Sequence, residues 1–533
     1  MTCEAGLHLC ESAHQQITVY GKLVAGSLVV TVRLVCVATF LALLTLFLPL
    51  LSRAEAIDPT IETKVLRVFT TKKAPYYHKP WKSPDFTSVK ASAFFFTDNK
   101  LFPGRRGLIL TNAHAVSMAE SIRVSNGKEK RQYDVKLVGV CNYADFAVLE
   151  MSALDMDVYE SLNGRVEPLE FGDSDTLRVG DKVQGWGYPL GGERISKSEQ
   201  GEISRIEVKR YAYSHELWLM VQASLQQNQG NSGGPVLKDG KVVGMAFQGV
   251  RTGDRINYFI PINVVRHLVP LMADQKLIPT WRYAVQFMFP RLKEYYHLDE
   301  NQGGVLLNYI IPSGGPYSFG LRAGDIITEI DGFEIDNYGE IYFKPLMQKL
   351  YFSEIINRKR VGDPLSINVF RDGKTMNIVG KVTEGLPRLV PQIFTMANYF
   401  IFGGIGFVEL TMNCIENLGQ SGDTFKARYA ESFPEYPYQK IVIISEIFPD
   451  YGLIDSTGFM NRVMRVGDQG VVNIQQLYET FEDLKSKGQK RVLLKIWPDL
   501  TLPIDLSGAV ELDAHIKEKY GILYMKTPGG FNH

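Results

Sequence analysis

Over residues 65–265 the chain is written in short β-type runs broken by turn signals, and few stretches hold a helical period. Examples are Leu108-Ile109-Leu110, Phe146-Ala147-Val148-Leu149, Val183-Gln184-Gly185-Trp186 and Val242-Val243-Gly244-Met245. Successive side chains on a strand face opposite ways, so short apolar runs like these find cover by pairing into sheets that pack on one another. Asp239-Gly240 lies between Val236-Leu237 and Val242-Val243. It is a hairpin signal, because two-residue turns need the positive φ that glycine accepts. The pattern predicts an all-β domain of about 200 residues, built as a sandwich or a pair of barrels.

Within that domain one hexapeptide carries the most chemistry: Gly230-Asn231-Ser232-Gly233-Gly234-Pro235. Glycines on both sides let the backbone turn sharply, so that consecutive N–H groups can converge on one spot, as a developing oxyanion requires. A lone G-x-S-G is also an ordinary tight turn, so a base and an orienting carboxylate decide between the readings. His114 stands at the end of an apolar run in Leu110-Thr111-Asn112-Ala113-His114-Ala115-Val116. Asp145 follows 31 residues later in Ala144-Asp145-Phe146-Ala147-Val148-Leu149, leading into another apolar run. A carboxylate at the mouth of a buried strand is costly without a partner. Singly, His114 reads as a structural residue and Asp145 as a turn acid; in the order His, Asp, Ser on an all-β domain they read as a catalytic set.

The segments TNAHAV, DFAVLE and GNSGGPV resemble the three catalytic stretches of the HtrA/Do-like (Deg) family of serine proteases. The segments 185–189 and 247–261 resemble the stretches between and after them. The resemblance spans nearly the whole chain behind its N-terminal segment. It implies a mainly β protein: a chymotrypsin-like double β-barrel followed by two PDZ-like α+β domains. It also implies that Ser232 is the nucleophile, His114 the general base and Asp145 the group that orients and stabilises the imidazole. Gly230, Asn231 and Ser232 would form the oxyanion hole through backbone N–H groups. Residues 223–229 and the charged 249–257 loop, with Arg251, Asp254 and Arg255, depart from the family pattern, leaving the specificity pocket unassigned.

Behind residue 279 the chain repeats itself loosely. Residues 305–312 resemble 442–449 at an offset of 137, and Arg322-Ala323-Gly324-Asp325 resembles Arg465-Val466-Gly467-Asp468 at an offset of 143. Two copies at nearly constant offset indicate a duplicated module with a small insertion in the second. Both resemble PDZ domains, which bind extended peptides as an added strand and catch the carboxylate on N–H groups. Ile474, Leu477, Phe481 and Leu484 stand at helical spacing, and residues 491–497 read as the strand behind that helix. Gly403, Gly404, Ile405, Gly406 and Phe407 are the candidate peptide-binding loop of the second copy. Residues 283–290 of the first hold no glycine. The alternative for both copies is a structural or oligomer-forming module.

Residues 34–51 carry no charge, and Ala54 and Ala56 behind them fit a signal-peptidase site. Cleavage near Ala56 and retention as a signal anchor both place the remainder outside the cytoplasm, in a periplasm or cell envelope. The expected division is residues 1–56 for export, 57–275 for the protease, 280–385 for the first PDZ-like domain and 395–533 for the second with a C-terminal extension. Basic and acidic residues balance at 58 each, which argues against nucleic-acid binding as the main task. Of five Cys, Cys141 and Cys414 lie in the body of the chain, too few for a disulfide framework. No phosphate-cradling loop, H-E-x-x-H or C-x-x-C occurs, so no cofactor or metal is expected. The expected function is ATP-independent cleavage of misfolded or damaged polypeptides. Its partners would be unfolded substrates and C-terminal peptides, and the assembly a homotrimer or a multiple of trimers. A holdase chaperone with secondary proteolysis and a dedicated processing protease are the alternatives.

Overall fold

A computed structural model describes residues 60–129, 131–225, 228–249, 257–279, 281–418, 420–429, 432–452 and 460–531. The expected export segment therefore lies outside the described residues, as do Arg251, Asp254 and Arg255. The architecture below is that of residues 62–533, one compact unit.

The short runs form two closed β-barrels. The first consists of β1 (Val65–Lys73), β2 (Phe86–Thr97), β3 (Leu108–Thr111), β4 (Ala119–Ser125), β5 (Tyr133–Cys141) and β6 (Phe146–Met151). They pair in the order β1-β4-β5-β6-β3-β2, and β1 pairs with β2 to close the ring; β7 (Leu169–Glu170) runs parallel beside β2. Leu66, Phe95, Ile109, Val124 and Leu149 fill its interior. The second barrel consists of β8 (Lys182–Gly187), β9 (Ser196–Arg210), β10 (Leu217–Ala223), β11 (Pro235–Lys238), β12 (Lys241–Gly249) and β13 (Asn257–Pro261), ordered β10-β13-β12-β11-β8-β9. Asp239 and Gly240 make the β11–β12 turn with φ of 51° and 75°, as their sequence predicts. Of the two architectures left open by the pattern, the pair of barrels is the one formed.

The repeat follows. Its first copy holds β14 (Tyr283–Phe287), β15 (Val305–Ile310), β16 (Ile326–Ile330), β17 (Phe333–Glu334), β18 (Glu340–Phe343), β19 (Gln348–Tyr351), the helix Ser353–Asn357, β20 (Pro364–Arg371) and β21 (Lys374–Lys381). The main sheet runs β14-β15-β16-β20-β21. The second copy holds β22 (Tyr399–Phe402), β23 (Ile405–Glu409), β24 (Val442–Ile447), β25 (Val463–Val466), β26 (Gln469–Gly470), the helix Ile474–Ser486, β27 (Arg491–Ile496) and β28 (Leu500–Asp505). Its strands form two sheets, β22-β23-β24 and β26-β25-β27-β28. Ile474, Leu477 and Phe481 are buried, as their spacing predicts, and Asn473 caps their helix by accepting from Gln476 N–H at 2.9 Å.

One alignment between the copies is corrected. Gly467-Asp468 is the turn from β25 into β26, where Arg465 pairs with Gly470; its counterpart is Asp331-Gly332, the turn where Glu329 pairs with Glu334. The offset there is 136, close to the 137 of the preceding strand, so the Arg322–Asp325 match misplaced the insertion. Both turns contain Gly and Asp, and turn chemistry alone does not fix which turn is meant.

Salt bridges fasten the repeat to the barrels. Arg282, directly before β14, grips Glu216 of the β9–β10 hairpin through two bonds of 2.6 and 2.7 Å, and Arg388 approaches the same carboxylate at 3.6 Å. Burial pushes the Glu216 carboxyl up, but Arg282, Arg388 and Arg210 outweigh that and hold it below its usual range. Arg358 likewise grips Asp175 through two bonds of 2.8 Å.

Candidate active site

β3 and β6 lie side by side and antiparallel, Thr111 opposite Ala147. The residues just behind β3 and just ahead of β6 therefore come together, although 31 positions separate them. Behind β3 the chain makes one helical turn, Ala113–Val116, that carries His114. Ahead of β6 Asp145 adopts a left-handed φ of 53°, which turns a fully buried carboxylate toward that helix. His114 Nδ1 lies 2.7 Å from Asp145 Oδ2, and His114 N–H donates to Asp145 Oδ1 at 2.7 Å. Two charge-assisted bonds offset the desolvation of the carboxylate and fix the ring against its own backbone. Asn112 Nδ2 donates to the Asp145 carbonyl at 2.9 Å and holds the loop from behind.

Ser232 comes from the other barrel, on the turn ahead of β11. Gly230 and Gly233 have φ of 101° and 87°. A Cβ on Gly233 would lie 2.2 Å from the Ser92 carbonyl oxygen, and one on Gly234 2.0 Å from that of Trp186. Glycine is required at both by close backbone approach. Ser92 of β2 ties the turn to the first barrel: its N–H donates to the Ser232 carbonyl at 2.8 Å, and its hydroxyl to the Gly230 carbonyl at 2.7 Å.

The hydroxyl of Ser232 donates to the Phe247 carbonyl at 3.1 Å. Among the described residues no hydrogen bond joins Ser232 to His114; the hydroxyl of the candidate nucleophile is spent on the Phe247 carbonyl instead. Catalytic hydrogen bonds of this kind commonly tighten only with substrate bound. Of the three candidate oxyanion donors, Asn231 drops out, because its N–H donates within the turn to the Asn228 carbonyl at 3.0 Å. Among the described residues, the N–H groups of Gly230 and Ser232 have no acceptor.

Three residues at the site had no signal in the sequence. Ser92 is one. Lys72 of β1 donates to the His114 carbonyl, and burial pulls its pKa down to about 8 against the opposing charge of Asp145. Tyr213 of the β9–β10 hairpin sets its ring 5.8 Å from the His114 ring, at 60°. Its hydroxyl donates to Asn142 Oδ1 at 3.2 Å, and its other side meets Phe394 at 4.9 Å.

The candidate peptide loop of the second module is placed otherwise than expected. Gly403 and Gly404 form the β22–β23 turn with φ of 57° and 79°, and their N–H groups already donate to the carboxylate of Asp513. Ile405, Gly406 and Phe407 are buried strand residues paired on both edges. Gly406 is small for a separate reason, since a Cβ there would lie 2.6 Å from Cη2 of Trp81.

Residues 91–245 match the family model described as a trypsin-like peptidase domain, and residues 390–525 the one described as a PDZ domain. The chain is 31% identical over 451 residues to the chloroplastic Protease Do-like 2 of Arabidopsis thaliana, covering 81% of this chain and 70% of that protein. It is 29% identical over 437 residues to the mitochondrial Protease Do-like 4 of the same plant, covering 80% and 78%. Among solved structures, the HtrA-type protease AlgW with a decapeptide is similar at 22% identity and a TM-score of 0.44, over 61% of this chain and 97% of that one.

Proposed function

This chain belongs to the HtrA/Do-like (Deg) family of serine proteases, and on that footing we propose that it degrades misfolded or damaged polypeptides without ATP. It is a serine endopeptidase. The observation that carries the assignment is the two-point grip of Asp145 on His114, together with a serine whose glycine turn Ser92 ties to the same barrel.

In the proposed mechanism Ser232 rotates from the Phe247 carbonyl toward His114 Nε2, which takes the hydroxyl proton as the oxygen attacks the peptide carbonyl. Asp145 keeps the proton on Nδ1 and stabilises the imidazolium that forms. The free N–H groups of Gly230 and Ser232 donate to the oxyanion; one such donor is worth about 2.7–4 kcal/mol in the barrier. His114 then protonates the leaving amine, and water repeats the cycle on the acyl-enzyme.

The proposed division follows the sequence boundaries, with the protease at 57–275 and PDZ-like modules at 280–385 and 395–533. Export by residues 1–56 and assembly in trimers rest on the sequence and on family resemblance. The Arabidopsis relatives bear mitochondrial and chloroplastic names, so an organelle stands beside the cell envelope as the compartment. The test is cleavage of casein by the unaltered chain and by Ser232→Ala, which exchanges a hydroxyl for hydrogen and leaves the fold. Loss of cleavage with unchanged circular dichroism supports the proposal; retained cleavage refutes it.

A further inference from the structure

Every polar group of His114 except Nε2 is engaged. Its N–H and Nδ1 meet Asp145, each at 2.7 Å, and its carbonyl accepts from the Lys72 ammonium. The carbonyl needs a donor from outside, because the helix Ala113–Val116 is a single turn. The last carbonyls of a helix find no N–H further along it. A longer helix would offer His114 the N–H of Met118. Here Ser117 is already extended, at φ −61° and ψ 139°, and Met118 is left-handed at φ 59°. A lysine reaching a helix C terminus serves in place of the missing turn.

Lys72 is itself held in place. It stands near the end of β1, opposite Thr87 of β2 and Ala119 of β4. Directly behind it, Lys73 N–H donates to the Met118 carbonyl at 3.2 Å, and the Tyr77 hydroxyl reaches Met118 Sδ at 3.5 Å. Strand and helix are fastened together at neighbouring points, and the ammonium spans a fixed gap between them.

Charge alone gives no reason for a cation here. When Ser232 releases its proton, His114 becomes an imidazolium, and a nearby ammonium opposes that charge. What the ammonium supplies is a fixed carbonyl. If the one-turn helix swings, Nε2 swings with it, and a misplacement of about 1 Å can cost about 100-fold in rate.

We propose that Lys72 is a positioning residue of the reaction: through the His114 carbonyl its ammonium fixes the helix so that Nε2 is presented to Ser232, and its hold is full only while it is protonated. The proposal rests on reading His114 as the base and Ser232 as the nucleophile.

The ammonium titrates within reach of ordinary assays. Burial pulls the Lys72 pKa down to about 8, with the charge of Asp145 opposing. A charge-assisted bond is about twice as strong as a neutral one, so loss of the proton weakens the hold without abolishing it. The other titratable groups around the helix are Cys141, Tyr77 and Tyr213. Burial pushes all three up, the first two to about 12, so they keep their protons near pH 8. Thr87 and Ala119, the neighbours on the flanking strands, carry no charge.

The test follows labelling of Ser232 by a fluorophosphonate, which reads nucleophile and base without the choice of a peptide. In Lys72→Met the maximal labelling rate, kinact, should fall about 10–100-fold while KI stays within about twofold. Lys72→Arg keeps a cation and a donor at every pH used and should recover most of kinact. In the unaltered chain kinact should decline about two- to tenfold from about pH 7 to about pH 9, and Lys72→Arg should lack that decline. Should Lys72→Met fail to fold by circular dichroism, the arginine variant and the pH profile carry the test. Unchanged or faster labelling of Lys72→Met overturns the proposal, since charge acting alone gives that sign. No recovery in Lys72→Arg, or an alkaline profile that is the same in the arginine variant and the unaltered chain, overturns it as well. Failure of the underlying reading shows separately, as no label on Ser232 and no casein cleavage by the unaltered chain.

Discussion

Asp145→Asn isolates what the carboxylate does. Both of its oxygens are engaged, Oδ1 by His114 N–H and Oδ2 by His114 Nδ1, each at 2.7 Å. An amide has only one acceptor. If its oxygen stays on the backbone N–H, its NH2 faces Nδ1, which must then give up its proton to Nε2. The nitrogen that should receive the serine proton becomes a donor instead. If the amide turns over, NH2 faces N–H, and two donors oppose each other in a fully buried site. In either state the charge that stabilises the imidazolium is gone. A triad trapped in the wrong tautomer loses about 10,000-fold in kcat, which is about 5.4 kcal/mol at about 1.36 kcal/mol per factor of ten. Initial rates on fluorescein-labelled casein, with circular dichroism as the check on folding, read the effect. A properly folded Asp145→Asn chain within tenfold of the unaltered rate would refute the reasoning.

Three further predictions concern the clamps. Glu216→Ala leaves the Arg282 guanidinium buried without its partner and should cost about 3–5 kcal/mol; a loss under about 1 kcal/mol by calorimetry speaks against the clamp. Gly406→Ala drives a methyl group into the Trp81 ring at 2.6 Å and should cost about 1–3 kcal/mol, with tryptophan emission moving to the red; unchanged emission speaks against it. Burial pushes Asp513 up to about 6 from 3.8, against the two N–H bonds that lower it. Between those values the folded chain keeps a proton that the unfolded chain has lost. Its contribution to stability is therefore largest below about pH 4 and falls as pH rises through about 6. The urea-midpoint difference between the unaltered chain and Asp513→Asn should change across that window; a flat difference contradicts the assignment.

The proposed catalytic set was legible because each member sits in a local pattern of its own. An apolar strand ends at His114, another begins at Asp145, and glycines flank Ser232. Antiparallel pairing of β3 with β6 does the rest. Partners that act through one backbone contact leave no such pattern. Ser92 lies within a buried strand like its neighbours, and Lys72 alternates on β1 like a solvent-facing lysine. Asn231 shares the tripeptide of the oxyanion donors, yet a local bond to Asn228 takes its N–H.

The glycines at 403–406 misled for a related reason. They look alike in sequence but answer to different demands: positive φ at 403 and 404, and the Trp81 ring at 406. Neither Asp513 nor Trp81 is near them in the chain.

A labelled fluorophosphonate reports the central claim most directly, because it bonds only to a serine whose proton a neighbouring base can take. Mass spectrometry of the labelled chain should find a single adduct on Ser232, lost in His114→Ala. An adduct elsewhere, or undiminished labelling of Ser232 without His114, would contradict the account.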